Sequence, residues 1–312
     1  MDAFQQIPFD HLPERPRIPH PWDRVEVHQE VIQTDSFGAL STRWHSLGSG
    51  EPLVLIHGLM THAWSFRYLL EPLGGHYRLI LPDLPGAGGT GKPDRDYHPD
   101  RLADWIGAFM EHVGVRGART LGNSLGGYLC LRLALRDPGA MGCLVDLHSP
   151  GIWSPRLGLL HVATRLPGAS AILAALVRRD PERWCHRNVH YRDESLKSLE
   201  EARVWAEPLR EPGGIAAFGR YLRDTMDATE LRRFSRSLRE RRDRGEAFPI
   251  PLQLVYATTD PMVPPVVGRR LSELIPSAQL CWLPEASHFA HVDAVESFVA
   301  AVAPFLAGRC DP

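Results

Sequence analysis

The sequence lacks the features that define several classes of protein. Its five cysteines form no CxxC pair, which argues against a disulfide framework and favours reduced thiols in a cytoplasmic protein. The N-terminus has no basic start followed by an apolar run, so no signal peptide is predicted. The longest apolar stretch, residues 157–177, is interrupted by His161, Arg165 and Pro167. It therefore predicts an amphipathic or buried helix pair and no membrane span.

The chain also carries little net charge of either sign. Its formal net charge is -2 at pH 7. The densest basic run, residues 232–244, is interrupted by Glu240 and Asp243, as on a solvated helix face. These features argue against nucleic acid or an anionic membrane as the main partner. We expect a small-molecule substrate and a monomer or homodimer.

The chain is long enough and apolar enough to form one large hydrophobic core, and its first segment is rich in proline. Its 312 residues are 44% hydrophobic and 23% charged, as in ordinary globular proteins. Residues 1–22 hold five prolines and predict an extended arm lying on the body, or a partly ordered tail.

Strand and helix patterns alternate along most of the chain. A hairpin is predicted at 30–33 and 40–44, and further strands at 53–56, 78–81, 120–121, 143–145, 252–256 and 279–282. Helical spacing of apolar residues is found at 99–113, 124–136, 266–274 and 293–306. This alternation predicts an α/β fold, with a mostly parallel sheet covered by helices on both faces.

Residues 152–247 show no strand pattern and have helical periodicity with interrupting prolines. They predict a helical cap, or lid, inserted over the carboxyl edge of the sheet. The core would then comprise residues 1–151 and 248–312. Apolar side chains of this cap are candidates for lining a pocket: Ile152, Trp153, Leu159, Leu160, Leu173, Trp205, Phe218 and Tyr221.

The motif with the clearest chemistry is Gly122-Asn123-Ser124-Leu125-Gly126. It has the GxSxG pattern of a nucleophile elbow, in which a tight strand-to-helix turn lifts a serine hydroxyl above the sheet edge. Glycine is favoured on both sides because larger side chains would collide in the turn. The alternative for Ser124 is a helix N-cap.

A reactive serine needs a base and an acid that orients the base. His288 follows the last predicted strand, and Asp260 follows the strand before it. The order Ser124, Asp260, His288 is the one this arrangement uses. Asp146 is an alternative acid. His291 is an alternative base, although we expect it on the surface or in a pocket wall.

The oxyanion formed by serine attack needs hydrogen-bond donors. One is expected from the backbone N–H of Leu125. The second is expected from Leu59, or from Met60, after Gly58. His57 is predicted to brace this loop through backbone hydrogen bonds.

Two further patterns carry weaker chemical signals. The glycine-rich segment 83–89 lacks a Walker lysine and is interpreted as a structural turn. His186 and His190 could share a helix face, but no third metal ligand of matching spacing is evident. No metal or organic cofactor is expected.

Taken together, these motifs resemble the α/β-hydrolase superfamily. The matching pieces are His57-Gly58, Asp83-Leu84-Pro85-Gly86, the elbow, and the loops of Asp260 and His288. The elbow is similar to that of the meta-cleavage-product hydrolases, which cleave carbon–carbon bonds, and of related small esterases. Those hydrolases usually have a glycine- and proline-rich segment after His-Gly and a tryptophan after the catalytic histidine. In this sequence, the segment after His57-Gly58 is Leu59-Met60-Thr61-His62. The residue after His288 is Phe289.

The resemblance implies a serine hydrolase that cleaves a small or medium, largely apolar ester through an acyl-enzyme. Three alternatives remain open: carbon–carbon bond hydrolysis of a vinylogous diketone, cofactor-free perhydrolase or haloperoxidase chemistry, and non-catalytic ligand binding. Haloalkane dehalogenases and epoxide hydrolases of this fold use an aspartate at the elbow, so Ser124 disfavours both.

Overall fold

The computed structural model describes residues 3–308 and is built on an eight-stranded sheet. The strand order is β1-β2-β4-β3-β5-β6-β7-β8. The pairs β1/β2 and β2/β4 are antiparallel and all the others are parallel. The strands are β1 (Glu26–Thr34), β2 (Gly38–Leu47), β3 (Pro52–Ile56), β4 (Arg78–Pro82), β5 (Ala118–Asn123), β6 (Met141–Leu147), β7 (Leu252–Ala257) and β8 (Gln279–Leu283).

Helices cover the sheet and fill the connection between β6 and β7. Those of the body are α1 (Leu70–Gly74), α2 (Pro99–His112), α3 (Leu125–Arg136), α10 (Pro265–Leu274), α11 (Ala290–Asp293) and α12 (Val295–Ala307). The connection, which we call the helical insertion, contains α4 (Pro155–Ala163), α5 (Ala169–Arg179), α6 (Pro181–Asn188), α7 (Leu199–Arg210), α8 (Gly214–Thr225) and α9 (Ala228–Asp243).

The central strands are apolar throughout because both faces of the sheet are buried. In β3, Leu53 and Leu55 belong to one hydrophobic cluster, while Val54 and Ile56 belong to a second cluster on the opposite face. This alternation follows the two-residue period of a strand. The predicted α/β fold with a mostly parallel sheet is thus confirmed, and it brings the carboxyl ends of β3, β5, β6, β7 and β8 to one edge.

Local differences from the sequence predictions have identifiable causes. The last helix does not begin at Asp293, because Ala294 leaves helical geometry at φ -141 and separates α11 from α12. The short helix α1 was not predicted. Cys130, Cys185 and Cys281 are free thiols, whereas Cys143 is disulfide-bonded, so the expectation of uniformly reduced cysteines is wrong at that residue.

The proline-rich N-terminal segment lies on the helical insertion. The backbone carbonyls of Pro13 and Glu14 accept hydrogen bonds from the N–H groups of Leu199 and Glu200 at 2.9 and 3.1 Å. The ring of His186 hydrogen-bonds the Ile7 carbonyl at 2.9 Å. Residues 7–14 of this segment therefore lie against the helical insertion, and His186 is engaged in holding them.

A buried ion pair joins the insertion to the body. The guanidinium of Arg67, which follows β3 in the chain, lies 2.6 Å from the Glu201 carboxylate on α7. The Tyr191 hydroxyl donates to the same oxygen at 3.0 Å. Removing one member of such a pair would leave an uncompensated buried charge. The contact therefore helps to hold α7 above the sheet edge.

No helix within residues 3–308 combines the length and apolar character needed to cross a membrane.

Candidate active site

Ser124 lies at the turn between β5 and α3, in a backbone conformation that residues other than glycine rarely adopt. Its φ is 54 and its ψ is -118. Its N–H donates to the Leu147 carbonyl at 2.7 Å, and its own carbonyl accepts from Tyr128 at 3.1 Å. A non-glycine residue in this region costs about 1–3 kcal/mol and persists only where the surroundings impose it. The geometry is that of a nucleophile elbow.

The two glycines flanking Ser124 are required by close backbone contacts. A Cβ at Gly122 would lie 2.6 Å from the backbone nitrogen of Gly127. A Cβ at Gly126 would lie 2.2 Å from the carbonyl oxygen of Ile56 in β3. Both distances are far below van der Waals contact, and neither neighbour is a flexible side chain. The GxSxG spacing therefore allows α3 to pack against the sheet.

Replacing Gly126 with alanine is expected to destabilise the fold by about 1–3 kcal/mol, the usual cost of forcing extra atoms into a packed interior. Gly75→Ala is a matched control, because the nearest atom to its Cβ would be 3.9 Å away. Chemical denaturation of both variants measures the difference. Equal stability of the two would contradict the packing argument.

His288 and Asp260 form a buried hydrogen-bonded pair. The Nδ1–H of His288 donates to Asp260 Oδ2 at 2.7 Å. The other oxygen of Asp260 accepts from the N–H groups of Met262 and Val263 at 2.7 and 2.9 Å. Burial opposes the charge on Asp260, but the charge and hydrogen bond of His288 outweigh it and lower the pKa of Asp260 to about 2. The carboxylate is thus held ionised and oriented.

The elbow and the loop of His288 meet at the same edge of the sheet. The side chain of Asn123 donates to the backbone carbonyl of His288 at 3.4 Å, which ties the residue before Ser124 to the His288 loop. Within residues 3–308 the Ser124 hydroxyl donates no hydrogen bond. Such bonds are often long in unliganded enzymes and tighten when substrate binds.

Two backbone N–H groups next to the elbow in sequence or in space have no hydrogen-bond acceptor within residues 3–308. Leu125 is the first residue of α3, and its N–H lies outside the helix's own hydrogen bonds. Leu59 follows Gly58, whose Cβ position would lie 3.1 Å from the Cβ of Ser124. In the described part of the chain neither N–H donates a hydrogen bond. Both groups are therefore free donors in the part of the chain that the structure describes.

The two alternative residues from the sequence take other places. Asp146 lies below the elbow helix, its Oδ2 accepts from the Tyr256 hydroxyl at 3.4 Å, and burial raises its pKa to about 7. His291 is fully buried and shares a 2.8 Å hydrogen bond with the hydroxyl of Ser65, so the expectation of a surface or pocket-wall position is wrong. The acid–base pair in the structure is Asp260 with His288. Neither Asp146 nor His291 takes part in it.

His57 braces the loop after β3, as its position in the sequence suggests. Its Nε2 accepts from the Leu84 N–H at 2.9 Å, and its Nδ1–H donates to the Gly58 carbonyl at 2.9 Å. Burial lowers the pKa of His57 to about 4, so the ring is neutral. The Asp83 carboxylate accepts from Ala63 and Gly89 at 2.9 Å each, which gives the glycine-rich turn a structural role.

Sequence reasoning missed His148, which lies directly beside the pair. It follows β6 with a φ of 57, and its Nε2 accepts from the Ala257 N–H at 2.6 Å. Its ring centroid is 5.5 Å from that of His288. Burial lowers the pKa of His148 to about 4. The available signal was its place two residues after Asp146, at the carboxyl end of a central strand.

His148, Asp260 and His288 also have ligand atoms within 4.8 Å of one another, close enough to suggest a metal group. However, His288 Nδ1 and both oxygens of Asp260 are engaged with one another and with backbone N–H groups. Nε2 of His148 is engaged in the same way. The arrangement is that of a hydrogen-bond network that orients an imidazole.

A small apolar cavity lies between the loop after β3 and the helical insertion. Its volume is about 40 Å³, room for about one water molecule. It begins at Gly58 and Leu59 and is closed by α7 and α8. The lining side chains of these helices are Trp205, Pro208, Leu209, Phe218 and Tyr221. Leu159, in contrast, points away with 72% of its surface exposed.

The chain is similar to known hydrolases in sequence. The family model described as alpha/beta hydrolase fold matches residues 51–295. The 2-hydroxy-6-oxo-6-(2'-aminophenyl)hexa-2,4-dienoic acid hydrolase of Metapseudomonas resinovorans is 26% identical over 293 residues, covering 88% of this chain and 90% of its own. A pimeloyl-acyl-carrier-protein methyl ester esterase of Aeromonas salmonicida is 26% identical over 270 residues, covering 86% of this chain and all of its own (100%).

Among solved structures, a meta-cleavage product hydrolase from Pseudomonas fluorescens IP01 superposes with a TM-score of 0.64 at 25% identity. The match covers 85% of this chain and 94% of that one. The chain is therefore similar to both carbon–carbon bond hydrolases and esterases over nearly its whole length.

Proposed function

Because the chain belongs to the alpha/beta hydrolase fold family, we propose that it is a serine hydrolase cleaving a small or medium, largely apolar ester through an acyl-enzyme. Ser124 would be the nucleophile and His288 the base. Asp260 would orient His288 and balance its charge. One observation carries the proposal: the 2.7 Å bond between His288 and Asp260 lies at the sheet edge where Ser124 occupies a strained turn.

In the proposed reaction, the Ser124 hydroxyl attacks the ester carbonyl carbon while His288 Nε2 takes its proton. The resulting oxyanion accepts hydrogen bonds from the N–H groups of Leu59 and Leu125, each worth about 3 kcal/mol in the transition state. His288 then gives the proton to the departing alkoxide, leaving an acyl group on Ser124. A water molecule, deprotonated by His288, attacks this acyl group. His288 then returns that proton to the departing Ser124 oxygen, which releases the acid and the free serine.

The apolar cavity supports an apolar acyl group as the part of the substrate nearest to Leu59. Its walls come from the body on one side and from α7 and α8 on the other, so the helical insertion would act as a cap over the site. A cavity of about 40 Å³ is too small for an acyl chain. Substrate entry would therefore need α7 and α8 to move outward.

Carbon–carbon bond hydrolysis is the second candidate, and the relatives favour it. The Metapseudomonas resinovorans relative is a dienoic acid hydrolase, and a 2-hydroxymuconate semialdehyde hydrolase of Pseudomonas is 25% identical over 291 residues. Phe289 argues against this candidate, because the meta-cleavage-product hydrolases usually have a tryptophan after the catalytic histidine and this chain has a phenylalanine after His288. Its ring is buried and packs edge-on against Tyr191 and His288. We therefore keep the ester as the first proposal.

The proposal is tested with a fluorophosphonate probe and a substrate series. We expect the probe to label Ser124, located by peptide mass spectrometry, and Ser124→Ala to remain unlabelled. On p-nitrophenyl esters, kcat/KM should rise about fourfold per added methylene until the space opened by outward movement of α7 and α8 is filled, the factor that corresponds to about 0.8 kcal/mol. Turnover of a vinylogous diketone with negligible ester turnover would favour the second candidate, and turnover only with peroxide in acetate would favour perhydrolysis. No labelling and no turnover would favour a non-catalytic protein.

A further inference from the structure

The helix pair α4–α5, residues 155–179, presents an apolar face to solvent. Five of its large apolar side chains are more than half exposed: Leu159 at 72%, Val162 at 57%, Leu166 at 58%, Ile172 at 63% and Leu176 at 54%. They make up more than half of the large exposed apolar side chains that the structure describes, and they all lie in the helix–turn–helix segment of residues 155–179, which we call the hairpin. A concentration of this kind marks an interaction surface.

The fold does not need this outer face. Other side chains of the two helices anchor the pair to the protein: Leu157 and Leu160 pack against the main hydrophobic cluster, and Val177 is fully buried. On α4, the helical period places Leu159 and Val162 on a different side from the packed residues Leu157 and Leu160. Ile172 and Leu176 share one side of α5, and Leu166 lies in the turn between the two helices. Only a partner outside the described residues would bury them.

The charge of the hairpin indicates what that partner is. Residues 155–179 contain four arginines and no aspartate or glutamate, although the whole chain carries a net charge of -2. Arg178 and Arg179 are exposed, and neither forms an ion pair within residues 3–308. Arg165 pairs with Asp227, the N-cap residue of α9. An apolar face next to unpaired cations is complementary to a partner surface that has an apolar interior below a layer of anionic groups.

We propose that the α4–α5 hairpin docks this protein onto an anionic lipid surface. The low net charge of the whole chain argues against a membrane as the main partner, but the hairpin itself carries only positive charge. Leu159, Ile172 and their exposed neighbours would enter the boundary between headgroups and acyl chains, and Arg178 and Arg179 would lie among the anionic headgroups. The protein would lie on the membrane without crossing it, in agreement with the lack of a spanning helix within residues 3–308.

A second copy of the chain is a less suitable partner for this face. Two-fold association through the hairpin would place the same surface against itself. The arginines of one copy would then face those of the other, with no carboxylate from residues 155–179 to pair with them. An anionic lipid surface satisfies both the apolar and the cationic side chains at once.

The hairpin also adjoins the candidate active site. The guanidinium of Arg156, at the start of α4, donates to the carbonyl of Pro261 at 2.9 Å, next to Asp260. Docking would therefore bring this side of the site close to the lipid. Because docking does not depend on catalysis, its test can be separated from that of the proposed hydrolase.

The experiment is flotation of the full-length protein with vesicles of phosphatidylcholine containing 30% phosphatidylglycerol by design, compared with phosphatidylcholine alone, in low-salt buffer. We expect at least about tenfold stronger partitioning onto the anionic vesicles. The double variant Leu159→Asp/Ile172→Asp should lose about tenfold of it or more. Val27→Asp/Val31→Asp is the matched control, because these valines are 62% and 66% exposed on β1, away from the hairpin.

A second variant guards against misfolding of the first. Arg178→Glu/Arg179→Glu changes exposed side chains only and should reduce partitioning about tenfold or more, with the wild-type melting temperature retained. Failure of the wild-type protein to float with anionic vesicles would overturn the proposal. So would a wild-type dimer, seen by light scattering, that Leu159→Asp/Ile172→Asp converts to a monomer while vesicle binding stays unchanged.

Discussion

Ser124→Ala is expected to lower kcat/KM for p-nitrophenyl esters by about 10⁴-fold or more while the protein remains folded. The variant retains the oxyanion donors and the His288–Asp260 pair, but no atom remains to form the acyl-enzyme. Losing the nucleophile of a catalytic group that acts as a unit removes most of the rate enhancement at once. Steady-state kinetics on the purified variant, with circular dichroism to verify folding, measures the effect.

Ser149→Ala is the control for this prediction. Ser149 is fully buried and lies after β6 at the same edge of the sheet, where its hydroxyl approaches that of Tyr256 at 3.4 Å. Its removal should change kcat/KM only a few-fold. If Ser124→Ala kept turnover near that of the wild type, Ser124 would not be the nucleophile and the proposed hydrolase mechanism would be wrong.

The second large effect is expected from Asp260→Asn, which should lower kcat by about 10⁴-fold with little change in KM. The carboxylate of Asp260 accepts the Nδ1–H of His288, which in the proposed mechanism would leave Nε2 free to take the serine proton. An asparagine can instead donate to Nδ1 and favour the wrong tautomer, and it carries no charge to stabilise the imidazolium. Burst-phase measurements would place the loss in the acylation step.

Asp146→Asn provides a matched comparison, because Asp146 is an equally buried carboxyl at the end of the neighbouring strand. Its Oδ2 lies near Tyr256, and its pKa is raised to about 7 by burial. We expect this variant to retain activity within a few-fold. A larger loss in Asp146→Asn than in Asp260→Asn would reverse the assignment of the acid.

The pH profile provides a further check on Asp260. The folded-state pKa of this carboxyl is about 2, below the ordinary value of about 4. The stabilisation that the ionised carboxylate gives to the fold is therefore fully present above pH 4 and is lost only as pH falls through 2. A decline in wild-type kcat/KM between pH 5 and 7 would therefore come from another group. An acid limb centred near pH 4 that Asp260→Asn abolished would contradict this pKa.

Much of the fold was predictable because its signals are local. The apolar run at 53–56, the helical spacing at 99–113 and the glycines around Ser124 each depend on a few neighbouring residues. The structure places strands or helices at all three. Asp260 and His288 could be named because each follows a recognisable strand, and parallel strands end at a common edge.

Other features depend on contacts between distant segments and had no local signal. His148 is defined by packing between β6, β7 and the His288 loop, and His291 by a hydrogen bond to Ser65, 226 positions earlier. In the helical insertion, Leu159 and Trp205 were equally good candidates for a pocket. Only tertiary packing turned Trp205 toward the cavity and Leu159 toward solvent.

The amino-acid sequence by itself determined the α/β architecture, the strained serine turn and the chemical types of the groups at the sheet edge. Hydrophobic periodicity and the steric limits of glycine-flanked turns act over a few residues, and they leave few alternatives. Tertiary structure alone decided which carboxyl pairs with His288, which side chains close the cavity and which face of α4–α5 remains exposed. These outcomes depend on burial and hydrogen bonding between segments more than a hundred residues apart in some cases, which no local pattern encodes.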